Sequence, residues 1–392
     1  MTNPAQNQKI SPLQLSNSWL FILGRETSLS AAEITAVFSS RHINYEIEKI
    51  VEEKMIIRTK EDIVAPELMP KLGGCIKICK KLDITRDGIA YFLSHYLPHG
   101  KINFAMNDFN KKDWMEVKTN LKAMGRGARY VEIKNSASIL FNNLVDKGAE
   151  LTLFEDQIFI TQAIQSFTDF SERDYGRPGR DDKSGMLPPK LAIMMLNLSG
   201  VTSTSTLFDP FCGSGTILTE AVLLGIKNIL GADISEKAIS DTKNNIEWTM
   251  LRYSIPPRNH SIEIFQSDAR HLSAKIKYES IDTIVTEPFL GKPLKGRETF
   301  EEIKTQAIEL KKLYIMAFEQ FQKILTADGT IIFIIPCFRH KGDWIRIDCL
   351  AEIKKLGFNP VPMWKNENHL LYSRPDQHVG REIWKFKLSP TS

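Results

Sequence analysis

Four acids fall at matching places in the C-terminal half of the chain: Asp209, Asp233, Asp268 and Glu287. Each lies at the end of an apolar run that reads as a β-strand, in Leu207-Phe-Asp209, Leu230-Gly-Ala-Asp233, Gln266-Ser-Asp268 and Val285-Thr-Glu-Pro-Phe289. Four successive strand ends with polar or special residues describe the ligand edge of a parallel sheet. The first continues as Asp209-Pro-Phe-Cys-Gly-Ser-Gly-Thr216, a strand-to-helix turn. Gly213 and Gly215 let the backbone reverse tightly there and let a ligand approach without meeting a Cβ. The helix that follows offers unpaired amides and its positive dipole end.

The residue types narrow the ligand. Asp233, 18 residues beyond Gly215, can accept hydrogen bonds from both hydroxyls of an adenosine ribose, as in nicotinamide dinucleotide or S-adenosylmethionine sites. Three features favour the second. Leu218 stands where a dinucleotide fingerprint carries its third glycine. Asp209 would repel a pyrophosphate yet attract the α-ammonium of a methionine moiety. Glu287-Pro288-Phe289 joins an acid, a rigid kink and an aromatic ring, which suits a flat base bearing an amine. A sulfonium methyl is already activated, so a protein mainly aligns an in-line displacement. The lone pair of an exocyclic amine is delocalised into its ring. Acceptors around the N–H groups bias it toward sp³ geometry and stabilise the developing charge. An aromatic side chain stacks on the base, and a paired target must first leave its helix. Glu287, Pro288 and Phe289 are the candidate catalytic residues.

These strand ends need a sheet that aligns them, and the sequence alternates accordingly. A helix over 190–198 precedes the glycine turn. Strands over 228–233, 262–268, 281–287 and 330–336 follow, with helices over 236–250 and 299–325. A helix over about 344–356 and strands over 369–374 and 381–388, joined by a hairpin-length loop, complete the chain. Alternating β and α predicts a parallel doubly wound sheet, and the terminal hairpin predicts an antiparallel edge strand. Upstream, the pattern gives strands over 19–23, 45–51, 54–58 and 75–82. Helices over 30–38, with Ser28 or Ser30 near the N-cap, and over 65–72 accompany them. A second α+β stretch follows, with strands over 101–106 and 128–133 and helices over 112–124 and 138–145. It ends in a hairpin over 149–154 and 157–162 across Glu155-Asp156. Mixed charges with glycines and Pro178 over 167–183 read as a linker.

At 392 residues two or three domains are the natural prior. A hydrophobic content of 42% with 25% charged residues is that of a soluble globular protein. No apolar run reaches membrane-spanning length and the N-terminus lacks a signal core, so the expectation is cytoplasmic. The five cysteines, 75, 79, 212, 337 and 349, form neither a zinc pattern nor a disulfide framework. Cys212 reads as a small packing residue rather than a nucleophile. His340, His369 and His378 show no metal or catalytic spacing, and no metal is expected. Residues 111–134 carry seven Lys or Arg against three acids, a surplus of four that equals the net +4 of the whole chain. Such clustering suits phosphate contacts, or a solvated helix face.

Asp209-Pro-Phe-Cys-Gly-Ser-Gly-Thr216, with Ser184-Gly-Met-Leu-Pro-Pro-Lys-Leu-Ala192 and Asp174-Tyr-Gly-Arg-Pro178 before it, resembles the THUMP-containing tRNA guanosine methyltransferases. Leu20 to Ile34, Met124-Gly-Arg-Gly-Ala-Arg-Tyr130 and Asn135-Ser-Ala-Ser138 resemble their tRNA-binding half more loosely. The resemblance implies a Rossmann-like class I methyltransferase sheet with an antiparallel C-terminal hairpin, preceded by an α+β RNA-binding region. The expected layout is a disordered tail over 1–17, a ferredoxin-like part over 18–60 and a THUMP-like domain over 61–166. The linker over 167–183 and the methyltransferase domain over 184–392 follow. It implies S-adenosylmethionine contacts at Asp209, Phe211, Gly213, Gly215, Asp233, Ile234, Asp268 and Ala269, with Asp268 on the adenine amine. Lys122, Arg126, Arg129 and Arg177 become candidates for tRNA binding. Some relatives act with a small helper protein, a partner left open here.

One departure bears on the chemistry. The family's fourth-strand motif is typically Asp-Pro-Pro-Tyr, whereas this chain has Thr286-Glu-Pro-Phe-Leu-Gly291. Aligning the acids sets Glu287 in the Asp place and Leu290 in the ring place; aligning the rings sets Phe289 correctly and Thr286 in the acid place. The expected activity is methylation of a guanosine exocyclic amine in tRNA. The alternatives are an amine methyltransferase acting on DNA or another RNA, and a non-catalytic tRNA-binding protein that keeps the pocket.

Overall fold

The computed structural model describes residues 15–180, 186–375 and 377–389. In chain order the elements are β1 (Leu15–Leu23), α1 (Thr27–Ser40), β2 (Tyr45–Val51), β3 (Lys54–Thr59), α2 (Ala65–Leu68), β4 (Cys75–Leu82) and α3 (Ile89–Tyr96). Next come β5 (Ile102–Asn107), α4 (Lys111–Ala123), β6 (Ala128–Tyr130), α5 (Ser136–Phe141), β7 (Ala149–Phe154), β8 (Gln157–Ile164) and α6 (Phe167–Ser171). They are followed by α7 (Pro189–Ser199), β9 (Thr206–Asp209), α8 (Thr216–Leu224), β10 (Asn228–Asp233), α9 (Glu236–Arg252), β11 (Ser261–Gln266) and β12 (Ile281–Thr286). The last are α10 (Phe300–Ile324), β13 (Leu325–His340), β14 (Asp343–Arg346), α11 (Leu350–Lys355), β15 (Phe358–Pro360), β16 (His369–Tyr372) and β17 (Val379–Leu388).

Two compact units result, and the chain passes between them more than once. The first contains residues 15–24, 42–70 and 75–167. Among its described residues, eight strands make one sheet in the order β2-β3-β1-β4-β8-β7-β5-β6. One continuous sheet thus spans the expected boundary at residue 60. Phe92, Leu93, Phe104, Leu121, Leu151 and Ile160 form a core on it. The β7–β8 hairpin turns at Glu155 and Asp156, both at positive φ (51° and 56°), as a two-residue turn matched to strand twist requires. A capping box between Asn110 and Asp113 starts α4.

The second unit contains residues 25–41, 71–74 and the described residues from 168 onwards. Its sheet runs β11-β10-β9-β12-β13-β17-β15, with β14 on β13 and β16 on β17. Strands β9 to β13 are parallel, and β17 is antiparallel to β13. Period-2 alternation serves both faces. Leu207, Ile332 and Ile334 join the core with α7 and α8, whereas Phe208, Ile331, Phe333 and Ile335 join the core with α10. Helix α1 belongs here because Leu29 and Ala32 pack with Leu191 and Met195 of α7. Its Glu33, fully buried, accepts from Gly73 N and Gly74 N (2.7 Å each) and from Asn197 Nδ2 (2.8 Å). Burial raises this carboxyl to about 7 despite those donors.

The structure corrects several expectations. The 1–17 tail falls mainly on residues 1–14, outside the described residues, and β1 is already formed at Leu15. Helix α1 starts at Thr27 with Glu26 as N-cap, and the Ser30 hydroxyl donates back to the Glu26 carbonyl (3.0 Å) instead of capping. The 344–356 helix is strand β14 followed by short α11. Lys341 and Gly342, both at positive φ, fold β14 back on β13. Strand β17 is interior, not an edge, because β15 and β16 pair with its far side. The described part of the 167–183 linker is a folded strap. α6 and a π-turn over Glu172–Gly176 hold Arg173 on Glu220 (2.8 Å) and Glu172 on Arg252 (2.7 Å). Residues 181–185, with the rest of that linker and the start of the 184–192 motif, lie outside the described residues.

Candidate active site

Strand β9 begins the parallel series, β10 and β11 lie to one side of it, and β12 and β13 to the other. The order reverses between β9 and β12, and ligands bind at such switch points beyond the carboxyl ends of the strands. A cleft of about 600 Å³ opens there. Asp209, Phe211, Gly213, Asp233, Ile234, Asp268, Ala269, Glu287, Pro288 and Phe289 all line it. Gly215 is the exception. It is the N-cap of α8 at φ 82°, and a Cβ there would sit 2.9 Å from Thr242 Cγ2, so it shapes the turn from behind.

Asp209 is 1% exposed. Its Oδ1 accepts from Thr286 Oγ1 (2.6 Å) and Phe211 N (3.2 Å), which ties the ends of β9 and β12 together. Burial, with the charges of Asp233 and Glu287 nearby, raises its carboxyl to about 7. Asp233 accepts Gly213 N (3.0 Å) and Ser235 N (2.9 Å), which fixes both carboxylate oxygens at the cleft wall. Next to it Ile234 leaves 64% of its surface exposed, an apolar face fit for a flat ring. Asp268 is gripped by Arg270 through Nε (2.9 Å), and that hydrogen bond holds its carboxyl below the ordinary range. Cys212 packs against Thr242, and burial pushes its thiol well up, away from nucleophilic use.

At the fourth strand end, Thr286 is fully buried and committed to Asp209. The acid that faces the cleft is Glu287. Its Oε1 accepts Nε of Arg381, on β17, at 2.6 Å, with both side chains only about a tenth exposed. Phe289 is 56% exposed, and its carbonyl accepts the buried Tyr314 hydroxyl (2.7 Å), which anchors the Pro288 kink on α10.

The four expected tRNA contacts separate. Lys122 and Arg129 are exposed. Arg126 instead donates to the carbonyls of Ser94 (2.8 Å) and Leu97 (2.5 Å), satisfying the end of α3 as a basic side chain near a helix C-terminus can. Arg177 is 4% exposed and donates Nη1 to Thr216 Oγ1 (2.6 Å), so it cannot meet a phosphate on the surface. Sequence reasoning missed Arg381, Thr216 and Tyr314, whose partners stand 94, 39 and 25 residues away. No local spacing signals them.

The acids and the apolar side chain follow one another as Asp209, Asp233, Ile234 and Asp268. That order fits an ammonium, a ribose, a ring face and a ring amine, so the residues present suit S-adenosylmethionine.

Residues 177–340 match the family described as RMKL-like, methyltransferase domain. The tRNA (guanine(10)-N2)-dimethyltransferase of Methanothermobacter thermautotrophicus is 41% identical over 107 residues, 27% of this chain and 28% of that protein. The protein of the same name from Methanocaldococcus jannaschii is 27% identical over 225 residues, 54% and 59% of the two chains. The chain therefore spans less than two thirds of either relative. The crystal structure of TrmN from Thermus thermophilus aligns over 95% of this chain and all of that one, with 17% identity and TM-score 0.53, a likeness of fold. Residues 177–340 are thus similar to an RMKL-like methyltransferase domain, and the sheet that contains them has the fold of class I methyltransferases.

Proposed function

We propose that the chain methylates the exocyclic amine of a guanosine in tRNA. The observation that carries this is Glu287-Pro288-Phe289 at the switch point, an acceptor and a ring at the open end of a cleft suited to S-adenosylmethionine. The names of the archaeal relatives support tRNA as substrate and position 10 as target. When bound, the donor supplies a methyl group on a sulfonium, already activated for displacement. The chain's own part is to orient. Phe289 stacks on the base, and Glu287, held by Arg381, accepts from the amine and stabilises its developing charge. The exposed Lys122 and Arg129 belong to a THUMP-like surface that grips phosphates. Among the described residues no helix is long and apolar enough to cross a membrane, and a cytoplasmic location suits the substrate.

Labelled S-adenosylmethionine with undermodified bulk tRNA, followed by nucleoside mass spectrometry, tests this reading. A methylated guanosine is expected. Transfer to duplex DNA in preference to structured RNA would overturn the substrate. The Arg381–Glu287 pair favours one second reading, a donor-binding chain whose acid is committed to structure. Tight donor binding with no transfer to any tRNA would be its signature.

A further inference from the structure

Cations stand on both sides of the cleft, and they differ in what they touch. On the side of Asp233 and Asp268, Lys237 is paired with Asp241 and Arg270 with Asp268, so each charge is met by a partner. On the other side the chain leaves the fourth strand end through Gly291-Lys-Pro-Leu-Lys-Gly-Arg-Glu298. Gly291 and Pro293 line the cleft beside Phe289. Lys292, Lys295 and Arg297 are exposed. Among the described residues, none of these three side chains makes a hydrogen bond or an ion pair.

Three like charges so close in sequence repel one another, yet the loop is fixed, and by groups that leave those charges free. Glu298 accepts from the amides of Lys295 (2.7 Å), Gly296 (2.9 Å) and Arg297 (3.1 Å). These bonds hold its carboxyl below the ordinary range. The one acid of the loop therefore faces its backbone, and three cations against it leave a surplus of two. Gln306, on α10, accepts from Lys292 N (3.0 Å), and Leu294 packs against the core under α10. Gly291 and Gly296, at φ 94° and 78°, pass so close to Gln306 and the ring of His378 that a Cβ would sit 2.5 and 2.7 Å away. A loop ordered before its ligand arrives loses less entropy on binding.

A base that reaches Glu287 and Phe289 must leave its stack, and its flanking phosphates stay outside at the mouth of the cleft. Lys292, Lys295 and Arg297 follow Phe289 by three, six and eight residues and meet the backbone there, where phosphate contacts fix register and orientation. We infer that residues 291–298 bind the sugar-phosphate backbone of the RNA beside the target nucleotide and hold it while the base occupies the cleft. The inference rests on reading the substrate as RNA. It gives the methyltransferase unit a grip of its own, apart from Lys122 and Arg129.

The test is the salt dependence of binding to an unmodified tRNA transcript, measured on the full chain between about 50 and 200 mM salt. Two triple variants are compared with the wild type. One removes the charges (Lys292→Gln, Lys295→Gln, Arg297→Gln) and the other keeps them (Lys292→Arg, Lys295→Arg, Arg297→Lys). The first should bind tRNA about 10- to 100-fold more weakly at low salt and lower the log–log slope by about two to three. The second should stay close to the wild type in both. S-adenosylhomocysteine, titrated by calorimetry, should bind all three chains within about two-fold, as expected of surface substitutions. An unchanged slope in the charge-free variant, or an equal loss in the charge-keeping one, would overturn the inference. So would a wild type that binds duplex DNA more tightly than tRNA. Binding needs no methyl transfer, so the two readings separate. The expected slope loss without any transfer supports the loop and strikes the activity, whereas methylated tRNA with an unchanged slope does the reverse.

Discussion

The two units bury charge in opposite ways. In the N-terminal unit Lys77, on β4, is buried with all three ammonium protons committed, to both Glu150 oxygens and Thr152 Oγ1 at 2.9 Å each. Thr161 also donates to Glu150, so cation and anion neutralise one another inside a closed network. In the methyltransferase unit Asp209 and Arg177 are as deeply buried, but each is held by a neutral threonine hydroxyl. A buried charge with its counter-charge at hand belongs to the scaffold. A buried charge held by a hydroxyl at a cleft wall keeps its field available for a ligand.

That contrast can be broken experimentally. Glu150→Ala strands Lys77 without its anion, and the N-terminal unit should lose about 3–5 kcal/mol in urea unfolding, with donor affinity unchanged. A cost below about 1 kcal/mol would show that the pair is not structural. Asp209→Asn should do the reverse, weakening S-adenosylhomocysteine about 10- to 100-fold while slightly raising the melting temperature near pH 8. The sign follows from the raised carboxyl. Ionised Asp209 becomes progressively unfavourable as pH rises from its ordinary 3.8 to about 7, because the folded chain keeps a proton that the unfolded chain releases. Lower stability with unchanged affinity would put Asp209 in the same class as Glu150.

The same titration sharpens the contrast further. The donor's ammonium needs an ionised partner, so wild-type affinity should rise roughly tenfold between about pH 6 and pH 8, and Asp209→Asn should flatten that rise. A profile equally steep in the variant would assign the proton to another group. The smallest effects belong to the surface. Lys122→Ala and Arg129→Ala should each weaken tRNA about two- to five-fold and reduce the salt slope by about one. Arg126→Ala should leave the slope alone and lower the melting temperature, since its guanidinium holds the end of α3. A reduced slope in Arg126→Ala would return it to the tRNA surface.

What was legible in the sequence was local. Strand β10 occupies Asn228–Asp233 as the apolar run and closing acid predict, because a central parallel strand is buried on both faces and needs no distant information. The glycine turn, the four acid-bearing strand ends and the β7–β8 hairpin follow for similar reasons. What escaped was decided by partners far along the chain. Arg126 and Arg129 look alike in sequence, and only the carbonyls of α3 set them apart. The strap over 167–180 reads as solvent-facing because its charges meet Glu220 and Arg252, 47 and 80 residues away. The placement of Arg177, and the engagement of Glu287 by Arg381, were hidden in the same way. A β17 that lies inside the sheet could not be read from a hairpin, whose local pattern is the same at an edge.

Helix α1 has a consequence for how the protein is made. Its Glu33 waits for Asn197, 164 residues later, and Arg25 for the Ser373 carbonyl, 348 residues later. At ribosomal speeds of roughly 5–20 residues per second, the first interval alone lasts on the order of ten to thirty seconds. Helix α1 therefore leaves the ribosome well before the residues of α7 that it packs against. During that wait the sheet of the N-terminal unit must close around a gap in the chain, from β1 to β2, with an unpartnered apolar helix hanging from it.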